Sequence, residues 1–158
     1  MPSRDRSNGV VLDDVSKAII EQLQQDGRRP YAAIGKAVGL SEAAVRQRVQ
    51  RLLESGVMQI VAVTDPLKLG LPVMALVGVA VDGDIRVVAD QIATIPEVIY
   101  VVVTAGAYDM FIEVVCPDTD TLFGVVNDHI KSVDGVRLAE SFVYFDIHTH
   151  RFTWDVPE

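Results

Sequence analysis

The chain has 158 residues, of which 49% are apolar and 23% are charged; this composition is typical of packed globular proteins and excludes wholesale disorder. Its longest apolar stretch, residues 74–81, is far shorter than the roughly 20 residues of a membrane span, and residues 1–11 lack the apolar segment of a secretory signal. The single cysteine, Cys116, provides neither a disulfide framework nor a multi-cysteine metal site, which favours a reducing cytoplasm. Together these features predict a soluble, cytoplasmic protein with no membrane partner.

The net charge of -8 is unevenly divided along the chain. Residues 1–62 hold nine basic and seven acidic side chains, a balance of +2, whereas the remainder holds five basic and fifteen acidic ones, a balance of -10. A surface that binds phosphates needs local positive charge, and an acidic one is repelled by DNA. The division therefore favours DNA contact by the N-terminal part alone.

Three helices are predicted first in chain order, and the second and third form a helix-turn-helix. Apolar residues recur at helical spacing over 12–23, 31–38 and 41–55. Gly39 ends the second pattern and Ser41, a favourable N-cap residue, begins the third, so only a few residues join the two helices. Residues 57–63 have the pattern of a strand, which either pairs locally as a wing or leads out of the domain.

Beyond Pro72 the pattern alternates strand, helix and strand, and it does so twice. The predicted strands are 73–81, 98–104, 109–116 and 136–147, and the predicted helices are 85–95 and 121–130. This order is that of a ferredoxin-like βαββαβ fold, in which both helices cover one face of an antiparallel sheet. Since the strands are apolar on both sides, the uncovered face is expected to self-associate.

The predicted fold class is therefore α+β, with an N-terminal (winged) helix-turn-helix domain and a ferredoxin-like domain. The first domain covers residues 1–62, including a frayed N-terminal tail. Residues 63–72 form a linker, and residues 73–158 form the domain for sensing and oligomerisation.

The outer face of the third helix has the chemistry of a DNA-reading surface. Glutamine pairs with adenine edges, arginine pairs with guanine edges, and alanine permits close approach to a thymine methyl group. Arginines at the flank of this helix and just before the second helix are better placed to contact phosphates or to fix the helix. The residues predicted to contact double-stranded DNA are Arg28, Arg29, Ser41, Ala43, Arg46, Gln47, Arg48, Gln50 and Arg51.

Several motifs in this order resemble the Lrp/AsnC (feast/famine) family of transcription regulators. In the helix-turn-helix they are Asp26-Gly27-Arg28, the run from Ile34 to Ser41, and the run from Val45 to Leu52. The sensor-domain motifs are Leu69-Gly70, Gly106-Ala107-Tyr108-Asp109 and Gly135-Val136. The resemblance covers about residues 12–145, and the order and spacing of the motifs make it specific.

The resemblance implies a DNA-binding transcription regulator that is not an enzyme and uses no cofactor. It also implies homodimers that assemble to an octamer, with a small effector, usually an amino acid, bound between dimers. The family's loop at this site matches Gly106, Tyr108 and Asp109, and the family's two hydroxyl positions on the last strand hold Ala139 and Ser141. Ala139 departs from the pattern, and the lost hydroxyl changes which ligand the site satisfies.

Two alternative functions stay open on the sequence. Asp146, His148 and His150 alternate, so a continuing strand would place them on one face, at a spacing that suits zinc or nickel in a metal-responsive regulator. Polar alternation near a C-terminus is more typical of a solvent-facing strand, and no metal site is predicted. A small ferredoxin-like enzyme is the other alternative, but no nucleophile lies beside a base and no loop is suited to phosphate, so no catalytic residue is predicted.

Overall fold

The computed structural model describes residues 12–149, which form two compact units that divide between Ala62 and Val63. The predicted frayed tail lies outside the described residues. Within residues 12–149, no helix is long and apolar enough to cross a membrane.

The first unit consists of three helices, α1 (Asp14–Gln25), α2 (Tyr31–Val38) and α3 (Glu42–Glu54). The side chains of Asp13 and Ser41 cap α1 and α3, accepting hydrogen bonds from the backbone N–H groups of Ser16 and Ala44. Apolar side chains from all three helices form one core, whose buried members are Ile19, Leu23, Ile34, Val45 and Val49. The predicted helix-turn-helix is confirmed.

A glycine on α2 permits the tight connection between α2 and α3. A Cβ atom at Gly35 would lie 2.5 Å from the carbonyl oxygen of Leu40, in the turn that follows α2. At the end of α2, Gly39 has a left-handed backbone with φ of +73°, which glycine adopts at little cost. The chain therefore reverses within Gly39, Leu40 and Ser41 before α3 begins.

The strand predicted over residues 57–63 is wrong for the described part of the chain. These residues form no regular element and pair with no strand among residues 12–149. A strand forms only where a neighbouring strand bonds its backbone N–H and C=O groups. Apolar alternation in the sequence predicted a strand over these residues, but alternation does not identify such a neighbour. Ile60, Val61 and Val63 are instead exposed, so the described residues include no wing.

The second unit is a four-stranded antiparallel sheet with two helices. In chain order its elements are a 3₁₀ helix (Pro66–Leu69), β1 (Val73–Val81), α4 (Ile85–Ile92), β2 (Val98–Val103), β3 (Met110–Cys116), α5 (Thr119–Gly124), which continues as a π-helix (Val125–Ile130), and β4 (Val136–Val143). The strand order is β2-β3-β1-β4, so the two strands that begin the two repeats are central. This topology confirms the predicted ferredoxin-like arrangement.

Several predicted element ends are wrong. Helix α4 ends at Ile92, three residues early, because the backbone turns at residues 93–95 before Pro96. Helix α5 begins at Thr119 because the side chain of Asp118 caps it. Strand β4 ends at Val143 and does not reach Ile147, because its neighbour β1 begins at Val73 and leaves nothing to pair with residues beyond Tyr144, whose N–H donates to the Met74 carbonyl.

The early end of β4 also removes the premise of the metal hypothesis. Asp146 and His148 do not lie on a strand, and His150 lies outside the described residues. Within residues 12–149, no group of three histidine, cysteine or acidic side chains is arranged to hold a metal ion.

The two faces of the sheet differ in what covers them. Helices α4 and α5 pack on one face, against alternate residues of the two central strands such as Val77, Val79 and Ile112. The opposite face carries no helix within the described residues, and we call it the open sheet face. The strand pairing assigns to this face Met74, Leu76, Gly78, Ala80, Tyr100, Val102, Phe111, Glu113, Val115, Leu138, Glu140, Phe142 and Tyr144.

Gly35→Ala is expected to destabilise the first unit by about 1–3 kcal/mol, because the new methyl group would overlap the Leu40 carbonyl. Hydrogen exchange of the α2 and α3 amides measures the stability of the first unit separately from that of the second. Gly27→Ala is the control, since a Cβ there would meet its nearest atom at an ordinary 3.8 Å. Equal exchange rates in the two variants would contradict the close-approach argument.

Candidate nucleic-acid interface and small-molecule site

Helix α3 presents one buried and one exposed face, as the sequence predicts. Val45, Val49 and Leu52 are buried in the first unit. The exposed positions include Ala43, Gln47, Gln50 and Arg51. Within the described part of the chain, the side chains of Gln47 and Arg51 make no hydrogen bond or ion pair with another residue, so their polar groups remain available to a ligand.

Arg48 is held by α1. Its guanidinium donates to both carboxylate oxygens of Asp13, at 2.9 and 2.7 Å, and to the Ser16 hydroxyl at 3.1 Å. Hydrogen bonds from Ser16 and then from Arg48 lower the pKa of Asp13 to about 2. Of the two roles that the sequence allows for Arg48, phosphate contact or fixing the helix, this geometry provides the second.

Among the described residues Arg46 also has two partners, and the sequence analysis missed both. Its guanidinium lies 2.9 Å from a carboxylate oxygen of Glu42 and 5.3 Å from the centre of the Tyr31 ring on α2. The spacing of Glu42 and Arg46, four residues apart on one helix, was the signal that could have identified this pair. Near the end of α3, Gln50 makes the corresponding bond to Glu54, at 2.8 Å.

Arg28 and Arg29 lie in the turn before α2. The Arg28 N–H donates to the Asp26 carboxylate at 2.9 Å, and the Arg29 N–H donates to the Asp26 carbonyl at 3.0 Å. These bonds order the backbone, while the Arg28 side chain is exposed and the Arg29 side chain is half-buried. Both residues therefore lie directly before the first turn of α2.

The predicted effector loop connects β2 to β3. The Asp109 carboxylate accepts a hydrogen bond from the backbone N–H of Val81 at 2.8 Å, and the Thr104 hydroxyl donates to the Tyr108 carbonyl at 2.8 Å. The tip at Gly106 is exposed and has φ of +153°, a backbone that favours glycine. One oxygen of Asp109 thus stabilises the loop.

Tyr108 lies on the open sheet face. Its ring covers Gly78, where a Cβ atom would lie 2.9 Å from the ring, and it packs edge-on against Phe111 and Phe142. Its hydroxyl donates to the Glu140 carboxylate, and this bond raises the pKa of Tyr108.

A second tyrosine and carboxylate pair is formed nearby. The Tyr144 hydroxyl donates to the Glu113 carboxylate at 3.0 Å. Burial, and then this bond, raises the pKa of Tyr144 to about 12. The hydroxyls of Tyr108 and Tyr144 are therefore both satisfied within the chain.

The predicted effector residues do not all face the same side of the sheet. Ala139 pairs with Val79 and Ser141 pairs with Val77, and both of those partners face the helices. Tyr108 lies against the opposite side. Ala139 is 7% exposed, so of the two β4 residues only Ser141 is open to a ligand.

A cavity of about 470 Å³ lies in the second unit, away from this loop. None of the predicted effector residues lines it. Its walls are the 3₁₀ segment and the chain beyond β4, with Val63, Thr64, Asp65, Pro66, Leu67, Pro72, Met74, Tyr144, Phe145, Asp146 and Ile147 as the lining residues.

Both units match known protein families. Residues 12–53 match the AsnC-type helix-turn-helix domain, and residues 74–153 match the Lrp/AsnC ligand binding domain. The chain is 35% identical over 150 residues to the HTH-type transcriptional regulator FL11 of Pyrococcus horikoshii, covering 94% of this chain and 97% of that one. The FL11 regulator of Pyrococcus furiosus is 34% identical over 140 residues, covering 87% and 92%.

Solved structures of regulators have the same fold. The leucine response regulatory protein of Mycobacterium tuberculosis superposes with a TM-score of 0.79 at 25% identity, over 93% of this chain and 99% of that one. A transcriptional regulator of Neisseria meningitidis in complex with L-methionine superposes with a TM-score of 0.78 at 23% identity, over 93% and 97%. At 23% identity, the similarity to the Neisseria regulator shows a shared fold only.

The contribution of Asp13 to stability is expected to depend on pH. Since its pKa is lowered from 3.8 to about 2, the contribution is complete above pH 3.8 and disappears as the pH falls through about 2. The difference in stability between wild type and Asp13→Asn, measured by urea unfolding, should therefore shrink over that range. Asp14→Asn removes the same charge one residue later and is the control; an equal pH profile for both variants would contradict a specific role for the Arg48 pair.

Proposed function

The chain belongs to the Lrp/AsnC family of DNA-binding transcriptional regulators, and we propose that α3 carries the residues that select its binding sites. The observation that carries this proposal is the availability of Gln47 and Arg51, which lie on the exposed face of α3 with no partner in the described part of the chain. Arg51 has the donors that pair with guanine, and Gln47 has the donor and acceptor that pair with adenine. Ala43 and Ser41 contribute a small surface that permits approach to the groove.

The remaining polar residues of the interface take supporting roles. Arg28 and Arg29 contact phosphates, which adds affinity but little sequence preference. Arg48 fixes α3 against α1 through Asp13 and Ser16. Gln50 lies on the reading face and is oriented by Glu54.

We infer a homodimer that forms through the open sheet face and assembles further, to an octamer as the family resemblance implies. Exposed apolar side chains on this face, among them Leu138 and Phe142, support burial against a second copy. A dimer would place two copies of α3 on successive turns of the duplex, which fits recognition of a two-part site.

The effector of the second unit is proposed to be an amino acid bound between dimers. Supporting this proposal, residues 74–153 match a ligand-binding domain, and a regulator of the same fold is known in complex with L-methionine. The exposed tip of the β2–β3 loop around Gly106 would offer backbone N–H groups to a carboxylate, and Asp109 and Ser141 would offer acceptors to an ammonium group. Tyr108 positions the loop, and Ala139 forms part of the buried wall. Binding there would bias the assembly among DNA-binding geometries.

Arg51→Ala and Gln47→Ala are each expected to lower affinity for a selected DNA site by about 5- to 150-fold and to relax the preference at one base pair. Full-length protein and a site selected from random-sequence DNA are used, and affinity is measured by fluorescence anisotropy at a fixed salt concentration.

Arg86→Ala is the matched control, because Arg86 is an exposed arginine on α4 of the second unit. It should leave affinity and preferences unchanged. Unchanged affinity in Arg51→Ala and Gln47→Ala, with an unchanged footprint, would overturn the assignment of the reading face.

Titration calorimetry with the twenty amino acids is expected to detect at least one that binds, and sedimentation velocity is expected to show that the same one shifts the assembly state. Gly106→Ala should weaken this binding at least tenfold, since a side chain strains the loop backbone at φ of +153°.

Gly70→Ala is the control for backbone strain, because Gly70 also has positive φ but follows the 3₁₀ helix. Silence from all twenty amino acids would exclude the proposed effector class. Equal weakening by both glycine variants would exclude the β2–β3 loop as its site.

A further inference from the structure

Among the arginines of α3, Arg46 is distinguished by contacts on two sides. One of its nitrogens lies 2.9 Å from the Glu42 carboxylate, and the guanidinium lies over the Tyr31 ring, 5.3 Å from its centre. The two partners come from different helices, so the position of the guanidinium depends on the helix-turn-helix geometry itself. Arg46 is nevertheless open to a ligand, with 65% of its side chain exposed.

The ion pair between Glu42 and Arg46 contributes little to the stability of the fold. An exposed ion pair between residues four apart on a helix is weak and is screened by salt. The Glu42 carboxylate also neutralises the charge that Arg46 would bring to a phosphate, and it repels phosphate itself. As a device for general DNA affinity, Arg46 with Glu42 is therefore worse than Arg46 alone.

The Glu42 and Arg46 side chains together have the hydrogen-bonding groups that recognition of a base pair requires. In the major groove a G·C pair offers two acceptors on guanine, N7 and O6, and one donor on cytosine, the N4 amino group. The guanidinium supplies donors and the carboxylate supplies an acceptor, and the two lie side by side in the first turns of α3. The N-terminal residues of a recognition helix are those that reach base edges.

We propose that Glu42 and Arg46 act together to read one G·C base pair, Arg46 donating to guanine and Glu42 accepting from the cytosine amino group. Tyr31 is a positioning residue, whose ring holds the guanidinium beside Glu42. The inference deepens the proposed function of α3 and rests on it. It replaces the two roles that the sequence allows for Arg46, phosphate contact or fixing the helix, and it adds Glu42 and Tyr31, which the sequence analysis did not select.

The test is a complete preference profile of the full-length protein. Affinities are measured for a selected site, for every single base-pair substitution in it and for an unrelated duplex. In Glu42→Gln, the preference at one G·C position should fall by at least about 5-fold, because the amide keeps an acceptor but loses the charge that strengthens its bonds to cytosine and to Arg46. Affinity for the unrelated duplex should rise a few-fold and depend more steeply on salt, because Arg46 is released to a phosphate.

Four further variants separate a shared role in base recognition from a structural one. Arg46→Ala should lose the preference at the same base pair, and the double variant should lose no more than Arg46→Ala alone, because the two side chains act on one pair. Tyr31→Phe should keep the preference, since the ring is retained, whereas Tyr31→Leu should weaken it.

Glu21→Gln is the charge-matched control, because Glu21 is an exposed carboxylate on α1 of the same unit. If Glu42→Gln and Glu21→Gln change every affinity by the same factor and leave all base preferences intact, the inference is overturned. If Gln47→Ala and Arg51→Ala lose preferences while Glu42→Gln does not, the reading face stands and only this inference fails. A flat profile in the wild type would instead overturn the proposed role of α3.

Discussion

The approach of the Leu40 carbonyl to Gly35 is the constraint on which the DNA-binding unit depends. With only hydrogen at position 35, the turn after α2 lies 2.5 Å from where a side chain would begin. This approach sets how closely α3 follows α2, and hence whether Arg46 lies over the Tyr31 ring. It also allows Val45 and Val49 to enter the core while Gln47 and Arg51 remain outside. The absence of a methyl group at Gly35 thus permits the packing of α3 that leaves Gln47 and Arg51 exposed.

The second unit has a different kind of constraint, the two-sidedness of its sheet. Alternate residues of β1 and β3 pack against the helices on one face, and Val77, Val79 and Ile112 are therefore fully buried. The residues between them necessarily form the open sheet face. The acidic balance of this part of the chain disfavours contact with DNA, which leaves nucleic-acid binding to the first unit, and the open sheet face is the surface on which we base the proposed self-association.

The features that the sequence predicted well are those encoded locally. The bounds of α2 and α3 follow from Gly39 and Ser41, and the order of strands follows from the repeated pattern. Pairing partners are not encoded locally, so the predicted strand over residues 57–63 was wrong and β4 was made too long. Contacts over long sequence separations were missed for the same reason: Asp13 is 35 residues from Arg48, and Tyr108 is 32 from Glu140. The sequence also could not indicate on which side of the sheet Tyr108 lies relative to Ala139 and Ser141, because Tyr108 precedes β3 in a loop and its ring is placed by contact with Gly78.

The two tyrosine and carboxylate pairs have a consequence for how the open sheet face is covered. A buried hydroxyl without an acceptor costs free energy, which would ordinarily discourage a partner from drying a surface that carries tyrosines. Here Tyr108 already donates to Glu140, and Tyr144 already donates to Glu113. A partner surface can therefore exclude water from the rings of Tyr108 and Tyr144 without leaving either hydroxyl unsatisfied. It must still leave water or a polar group beside the carboxylates of Glu113 and Glu140 and beside the hydroxyl of Tyr100.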